Sequence, residues 1–213
     1  MTTLVTIGIA GGSGAGKTTL ARNIQDVIGE QYVTILPYDA YYHDIPQILN
    51  KMPTVNFDHP CALDSELFAA HVYQLQQGYS IQMPVYDFTS NSRIGHRVLY
   101  PHPILVVEGI LLFTEPQIRD LLDIRVFIDV SADIRFIRRL QRDTKERGRT
   151  FDNVQEQWLQ TVQPMHLAYV EQTKQFAHTI ILGDGLEEMA ISLQLLVSYC
   201  KSLLSVEYAV REF

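Results

Sequence analysis

Eight consecutive residues constrain this chain more than any other feature: Gly11-Gly12-Ser13-Gly14-Ala15-Gly16-Lys17-Thr18. They fit G-x-x-x-x-G-K-[ST], directly after an apolar, strand-like run at 4–10 and directly before a helical pattern at 18–28. Glycines let the backbone wrap closely around phosphate oxygens, so successive N–H groups point inward. A helix that starts beside Lys17 adds the positive end of its dipole. In this arrangement Gly11, Gly12, Ser13, Gly14, Ala15, Gly16, Lys17, Thr18 and Thr19 bind a nucleoside triphosphate. Lys17 reaches the β/γ-phosphates, and the Thr18 hydroxyl ligates Mg²⁺.

The rest of the chain supplies a scaffold for such a loop. Further apolar runs at 33–36, 104–108, 124–130 and 179–182 are interleaved with periodic segments at 64–77, 133–147, 153–176 and 186–204. Alternating strands and helices predict an α/β fold, a parallel sheet flanked by helices on both faces. Asp64 and Asp133 read as helix N-caps, and Gly78 as a helix stop. Two stretches break the alternation. Residues 37–61 are too long for a routine connection, and 80–100 read as a β-hairpin around a polar tip. Both read as additions around a substrate site, on a single domain spanning residues 1–213.

Charge narrows the ligand. The chain has 17 Lys and Arg against 24 Asp and Glu, a net charge of −7, which argues against a nucleic-acid partner. Yet Arg135, Arg138, Arg139, Arg142, Lys145, Arg147 and Arg149 fall within one short window that holds only Asp143 and Glu146 in opposition. A compact cationic element on an acidic body suits a small polyanion. With few acidic partners, the window reads as an Arg-rich lid at about 135–155 that closes over the triphosphate. Positions 135, 138, 142 and 149 share a face if the helix persists. The longest apolar stretches, 104–107 and 110–113, are far short of a membrane span, and no basic, hydrophobic leader opens the chain. Cys61 and Cys200 lack any paired spacing and read as reduced thiols of a cytoplasmic protein. The histidines show no ligand spacing, so no zinc is expected.

Metal organisation needs acidic groups near the phosphate loop. Glu108 ends the run at 104–108, and Asp39 lies just past the run at 33–36. Ligands in open α/β sheets gather beyond the carboxyl ends of strands, so these two and the loop should converge. A regulatory GTPase is disfavoured, because Asn50-Lys51-Met52-Pro53 lacks the aspartate of N-K-x-D.

Five further stretches follow the phosphate loop in order. They are Asp39-Ala40-Tyr41-Tyr42, Asn56-Phe57-Asp58-His59-Pro60, Pro84-Val85-Tyr86-Asp87-Phe88, Glu108-Gly109-Ile110-Leu111, and Arg138-Arg139-x-x-Arg142-Asp143 with Glu146-Arg147-Gly148-Arg149. With the loop they resemble the uridine–cytidine kinases, among the P-loop small-molecule kinases that include phosphoribulokinase. The resemblance runs over about residues 4–182.

That resemblance implies phosphoryl transfer from ATP (or GTP), with Mg²⁺, to the 5′-hydroxyl of uridine or cytidine. It implies that Asp39 takes the hydroxyl proton, while Lys17, Arg142 and Arg147 face the phosphates. Asp58, Arg139 and Gln157 would hold the ribose hydroxyls. Tyr42, Phe57, Tyr86 and Phe88 would wall the pyrimidine, with Arg149 near its carbonyl side. Thr18, Glu108 and Asp39 would organise the metal. A cytoplasmic homo-oligomer, a tetramer in this family, is implied in the same way. Two positions depart from the family pattern. Asn91 stands where a base-reading histidine is common, and Leu182-Gly183-Asp184-Gly185 lacks the arginine of P-R-G. Base preference and the choice between ATP and GTP are therefore left open, as are another small-molecule kinase activity or a nucleotide sensor without turnover.

Overall fold

The structure, a computed structural model, describes Thr3 and residues 5–211, so Leu4 of the first predicted strand lies outside the described residues. Its centre is a parallel sheet in the order β2-β5-β1-β6-β7, formed by β1 (Val5–Gly11), β2 (Val33–Pro37), β5 (Ile104–Gly109), β6 (Ile124–Asp129) and β7 (Thr179–Leu182). A separate antiparallel pair, β3 (Ile81–Asp87) with β4 (Ser92–Leu99), is the predicted hairpin.

β1 is buried along its whole length, and its period-2 alternation feeds two cores. Val5, Ile7 and Ile9 pack with Leu20, Ala21 and Ile24 of α1 (Lys17–Ile28) and with Cys200 and Leu204 of α8 (Leu186–Arg211). Ala10 joins Leu105, Val107 and Phe127 on the opposite face, under Phe68, Val72 and Leu75 of α3 (Ser65–Gln76). Helices on both sides thus cover strands that are apolar on both faces.

The long connection after β2 is structured. It holds a 3₁₀ turn at Tyr38–Tyr41, α2 (Ile45–Leu49) and a second 3₁₀ turn at Pro60–Ala62. Asp64 caps α3 as predicted, accepting from the Leu67 amide at 3.2 Å. α4 (Pro116–Arg119), too short to show a period, was not legible in the sequence.

Several expectations are corrected in the second half. The N-cap of α5 (Ala132–Glu146) is Ser131; Asp133 lies inside the first turn. The predicted helix at 153–176 starts earlier, as α6 (Phe151–Gln157), and is interrupted. It passes through a π turn (Trp158–Val162), α7 (Gln163–Met165), a second π turn (His166–Val170) and a 3₁₀ segment (Glu171–Phe176). α5 also ends at Glu146, so no helical face carries through to Arg149. The chain turns at Gly148, φ 63°, and the Arg149 amide folds back to donate to the Asp143 carbonyl at 3.1 Å.

Candidate active site

β1 delivers the phosphate loop to the carboxyl edge of the sheet, and α1 begins at Lys17. Gly14 needs both a positive φ of 83° and no side chain, because a Cβ there would lie 2.3 Å from the Arg135 carbonyl oxygen. The loop therefore rests on the start of α5. The buried Lys17 ammonium donates to the Gly12 carbonyl at 3.1 Å. Burial lowers the pKa of Lys17, with Glu108 and Asp39 pulling the other way.

The two predicted acids do converge on this loop. β5 ends beside β1 and β2, and Gly109 lets the 3₁₀ turn of Asp39 close in, since a Cβ at 109 would meet Tyr38 Cβ at 2.7 Å. The Thr18 hydroxyl donates to Glu108 Oε1 at 2.8 Å. Burial pushes the Glu108 carboxyl up, the neighbouring Asp39 adds to that, and Lys17 offsets part of it. Asp39 Oδ1 is buried with no hydrogen-bond partner. Two carboxylates and a hydroxyl, one acid oxygen unsatisfied, form a hard oxygen donor set that fits Mg²⁺.

A cavity of about 420 Å³ runs from these groups to the hairpin. Ser13, Lys17, Thr18, Asp39 and Glu108 line one end; Tyr42, Phe57, Asp58, Tyr86, Phe88 and Asn91 line the other; Arg139, Arg142, Arg147, Arg149 and Gln157 border it as well. The aromatics form one cluster around Tyr42, whose ring centroid is 5.5 Å from those of Phe57 and Tyr86. The Arg147 guanidinium sits 4.2 Å from the Phe88 centroid. Burial raises the pKa of Asp58, against the opposing charge of Arg139 and the hydrogen bond from Thr161. Gln157 Oε1 accepts from Arg149 at 2.8 Å and from Arg139 at 3.2 Å. The Arg139 guanidinium also reaches Ser13 Oγ at 2.9 Å, so the two ends of the cavity share a residue.

Residues 6–188 match the model of the Phosphoribulokinase / Uridine kinase family. This chain belongs to that family. It is 44% identical over 191 residues to a uridine kinase of Chloroflexus aurantiacus, covering 89% of this chain and 91% of that one. A uridine kinase of Geobacillus kaustophilus is also 44% identical, over 89% of this chain and 90% of its own. Among solved structures, phosphoribulokinase from Rhodobacter spheroides shares the fold. Its TM-score is 0.58 at 14% identity, and the match covers 81% of this chain and 67% of that one.

Within this family fold the structure separates residues that the sequence grouped. Gly11, Gly12, Ala15 and Gly16 shape the phosphate loop without lining the cavity, and Thr19 is exposed on α1. Arg135 and Arg138 leave the arginine cluster. Arg135 donates to the Val130 carbonyl at 3.0 Å and lies over the Trp158 ring, while Arg138 reaches the Gly183 carbonyl at 3.1 Å. The departing Asp184 ties the β7 end to α5, accepting from the Ser131 amide at 2.9 Å.

The few acidic partners expected in this window come down to one. Asp143, whose side chain is fully buried, forms ion pairs with Arg139, Arg142, Arg147 and Arg149. Sequence reasoning also missed Thr161, whose hydroxyl donates to Asp58 Oδ2 at 3.2 Å. The four-residue spacing from Gln157 on one helical face was the available signal. Asn56 has no role legible in the sequence; its side-chain oxygen accepts from the Asp58 amide at 3.0 Å and orients that acid. Arg93 has none either. It donates to the carbonyls of Tyr41 and Tyr42, both at 2.9 Å, and so holds the hairpin against the aromatic cluster.

Proposed function

We propose that this chain transfers the γ-phosphoryl group of ATP to the 5′-hydroxyl of uridine, and of cytidine in the same site, giving the nucleoside 5′-monophosphate and ADP. The observation that supports this most directly is the unpaired, buried Asp39 Oδ1 in one cavity with Lys17 and Asp58. A carboxylate so placed can accept the hydroxyl proton while the nucleoside oxygen attacks the γ-phosphorus and the bond to the bridging oxygen of ADP breaks. Lys17, Arg142 and Arg147 neutralise the charge that spreads over the phosphoryl oxygens. Thr18, Glu108 and Asp39 would hold Mg²⁺, which when bound supplies further neutralisation at the phosphates.

At the acceptor end, Asp58, Arg139 and Gln157 take the ribose hydroxyls. Tyr42, Phe57, Tyr86 and Phe88 enclose the pyrimidine, and Asn91 and Arg149 read its edge. Asn91 carries both a donor and an acceptor, which suits uracil and cytosine alike. The lid at about 135–155 closes over the donor, and the hairpin at 80–100 carries the base side, both within one domain. The donor is ATP or GTP, with the Gly183–Gly185 turn the region that distinguishes them. A cytoplasmic homo-oligomer serving pyrimidine salvage completes this reading, on family resemblance.

A coupled ADP-release assay across ribonucleosides, deoxyribonucleosides and non-nucleoside alcohols tests it. Uridine and cytidine should release ADP well above the others. No release with any nucleoside overturns the assignment.

A further inference from the structure

Four guanidinium groups converge beside the cavity, and the anion that holds them is Asp143. Its side chain is fully buried and lies in the last turn of α5. The two carboxylate oxygens are not used alike. Oδ1 takes Arg142, through Nε at 2.8 Å and Nη2 at 2.7 Å, and Arg147 at 3.5 Å. Oδ2 takes Arg149 at 3.1 Å and Arg139 at 3.5 Å.

The four arginines act at both ends of the cavity. Arg142 and Arg147 line the cavity together with Lys17 and Asp39, where like charge opposes Lys17 and opposite charge favours Asp39. Arg139 and Arg149 both donate to Gln157 Oε1, and both act on the Asp58 carboxylate. The partition between oxygens does not separate the two ends. Arg139, on Oδ2, also reaches Ser13 Oγ of the phosphate loop at 2.9 Å, and Arg147, on Oδ1, lies 4.2 Å from the Phe88 ring centroid. One carboxylate therefore holds arginines that serve both ends of the cavity. Burial alone would push the Asp143 carboxyl up, but the arginines, Arg142 first among them, hold it below the ordinary range. Its backbone carbonyl also accepts from the amides of Arg147 and Arg149, so the same residue sets the turn that returns Arg149 to the site.

We infer that Asp143 is the positioning residue of this site: its one carboxylate aims Arg142 and Arg147 through Oδ1 and Arg139 and Arg149 through Oδ2, and so sets both the transfer end and the nucleoside end of the cavity. The targets of the two pairs rest on the nucleoside kinase reading above. Without the carboxylate the four like charges repel, and each pair loses its aim while every arginine remains present. An arginine aimed at a carboxylate or phosphate acts through a fixed planar fork, so small rotations matter.

Two double-mutant cycles test this by steady-state kinetics. Asp143→Asn keeps the shape and the backbone carbonyl but removes the charge. It should lower kcat about tenfold or more and raise the uridine KM about tenfold. With Arg142→Gln already present, its further effect on kcat should shrink to within about threefold. With Arg149→Gln already present, its effect on KM should shrink in the same way while the kcat loss persists. Wild-type kinetics for Asp143→Asn, or losses that multiply in full in both cycles, overturn the inference, because a merely structural acid adds its cost to every background. If Asp143→Asn yields no folded protein, Asp143→Glu goes through the same cycles. It keeps the charge but displaces it by one methylene, so smaller losses in kcat and KM with the same coupling are expected. Wild-type kinetics for it, or losses that multiply in full in both cycles, again overturn the inference. Wild-type turnover is measured first. Inactivity on uridine counts against the substrate reading alone, and the cycles are then read with whichever acceptor the panel identifies.

Discussion

Thr161 Oγ1 donates to Asp58 Oδ2 at 3.2 Å, a bond between residues 103 positions apart in the chain. It links the π turn after α6 to the loop between α2 and α3. It occupies one carboxylate oxygen, and in the function proposed above the other takes a ribose hydroxyl. A buried acceptor aimed at a ribose hydroxyl discriminates against a sugar that lacks it, because the acceptor is then unpaired.

Deoxyuridine should accordingly be a poor acceptor, with kcat/KM below that of uridine by about 10²-fold or more. Asp58→Asn should erase most of that ratio, and Thr161→Val should lower it only a few-fold, by about the worth of one hydrogen bond. Competing the two nucleosides in one assay gives the ratio directly. Equal use of both by the wild type would remove Asp58 from its proposed role.

Lys17→Ala should cost about 10²–10³ in kcat, the range for loss of one transition-state electrostatic donor. Lys17 is buried and its ammonium already bonds the Gly12 carbonyl, so the loop loses an internal tie as well as a cation. Near-normal turnover, in protein whose melting curve matches the wild type, would contradict the phosphate-loop assignment.

Asp39→Asn should retain nucleoside binding, measured by calorimetry, and lose about 10²–10⁴ in kcat, as general-base removal does. The substitution removes the negative charge and one of two acceptor oxygens from a carboxyl whose Oδ1 is buried without a partner. An unchanged kcat would reduce Asp39 to a metal-positioning role.

Asn91 holds a left-handed conformation, φ 52°, the one described non-glycine residue with positive φ. Asparagine tolerates that region better than most residues, and alanine there costs about 1–2 kcal/mol. Asn91→Gly therefore isolates the side chain without strain. It should raise KM for uridine and cytidine together and leave kcat within about threefold. Asn91→Ala should add a loss of stability to the same KM effect. If Asn91→Gly leaves both KM values and the uridine/cytidine ratio unchanged, position 91 does not read the base.

His166 supplies a pH dependence outside the site. Burial lowers its pKa to about 4, with Arg135 adding to the shift and the Glu171 carboxylate opposing it. The unfolded imidazole takes up its proton near 6.5, so between there and about 4 the unfolded state binds more protons than the folded one. Stability from the neutral ring is full above that window and is lost as pH falls through it. Melting curves at pH 7.0 and 5.0 (about either end of ordinary His titration) should show the wild type losing several degrees more than His166→Gln, since about 1 kcal/mol moves Tm by about 2–4 °C in a chain of this length. Equal losses in the two proteins would exclude His166 as the source.

The phosphate loop, the strand–helix alternation and the hairpin were legible because each is local. A glycine pattern sits between a strand and a helix, apolar periods of two and of three to four mark the elements, and a polar tip marks the turn. Element ends were less so. The pattern around 133–149 could not show that α5 stops at Glu146, because Gly148 and the return of the Arg149 amide to Asp143 are a capping geometry. The π turns at Trp158–Val162 and His166–Val170 were invisible for a related reason: one inserted residue per turn shifts the face without changing its composition.

Residue chemistry and short spacing were enough to name the phosphate-loop residues and the acids at two strand ends, since those properties belong to the residues themselves, whereas the aromatic positions came from the family resemblance. Partnership depends on which side chains the fold brings within about 3–4 Å, and that is decided across the sheet, the hairpin and the lid. Arg135 and Arg138 looked equivalent to Arg139 and Arg142 in the chain, yet the packing of α5 under the phosphate loop turned the first two toward Val130 and Gly183. It turned the other two toward the cavity and onto Asp143. The charge on that helix was readable from composition, whereas its direction depended on a buried carboxylate whose surroundings no linear pattern records.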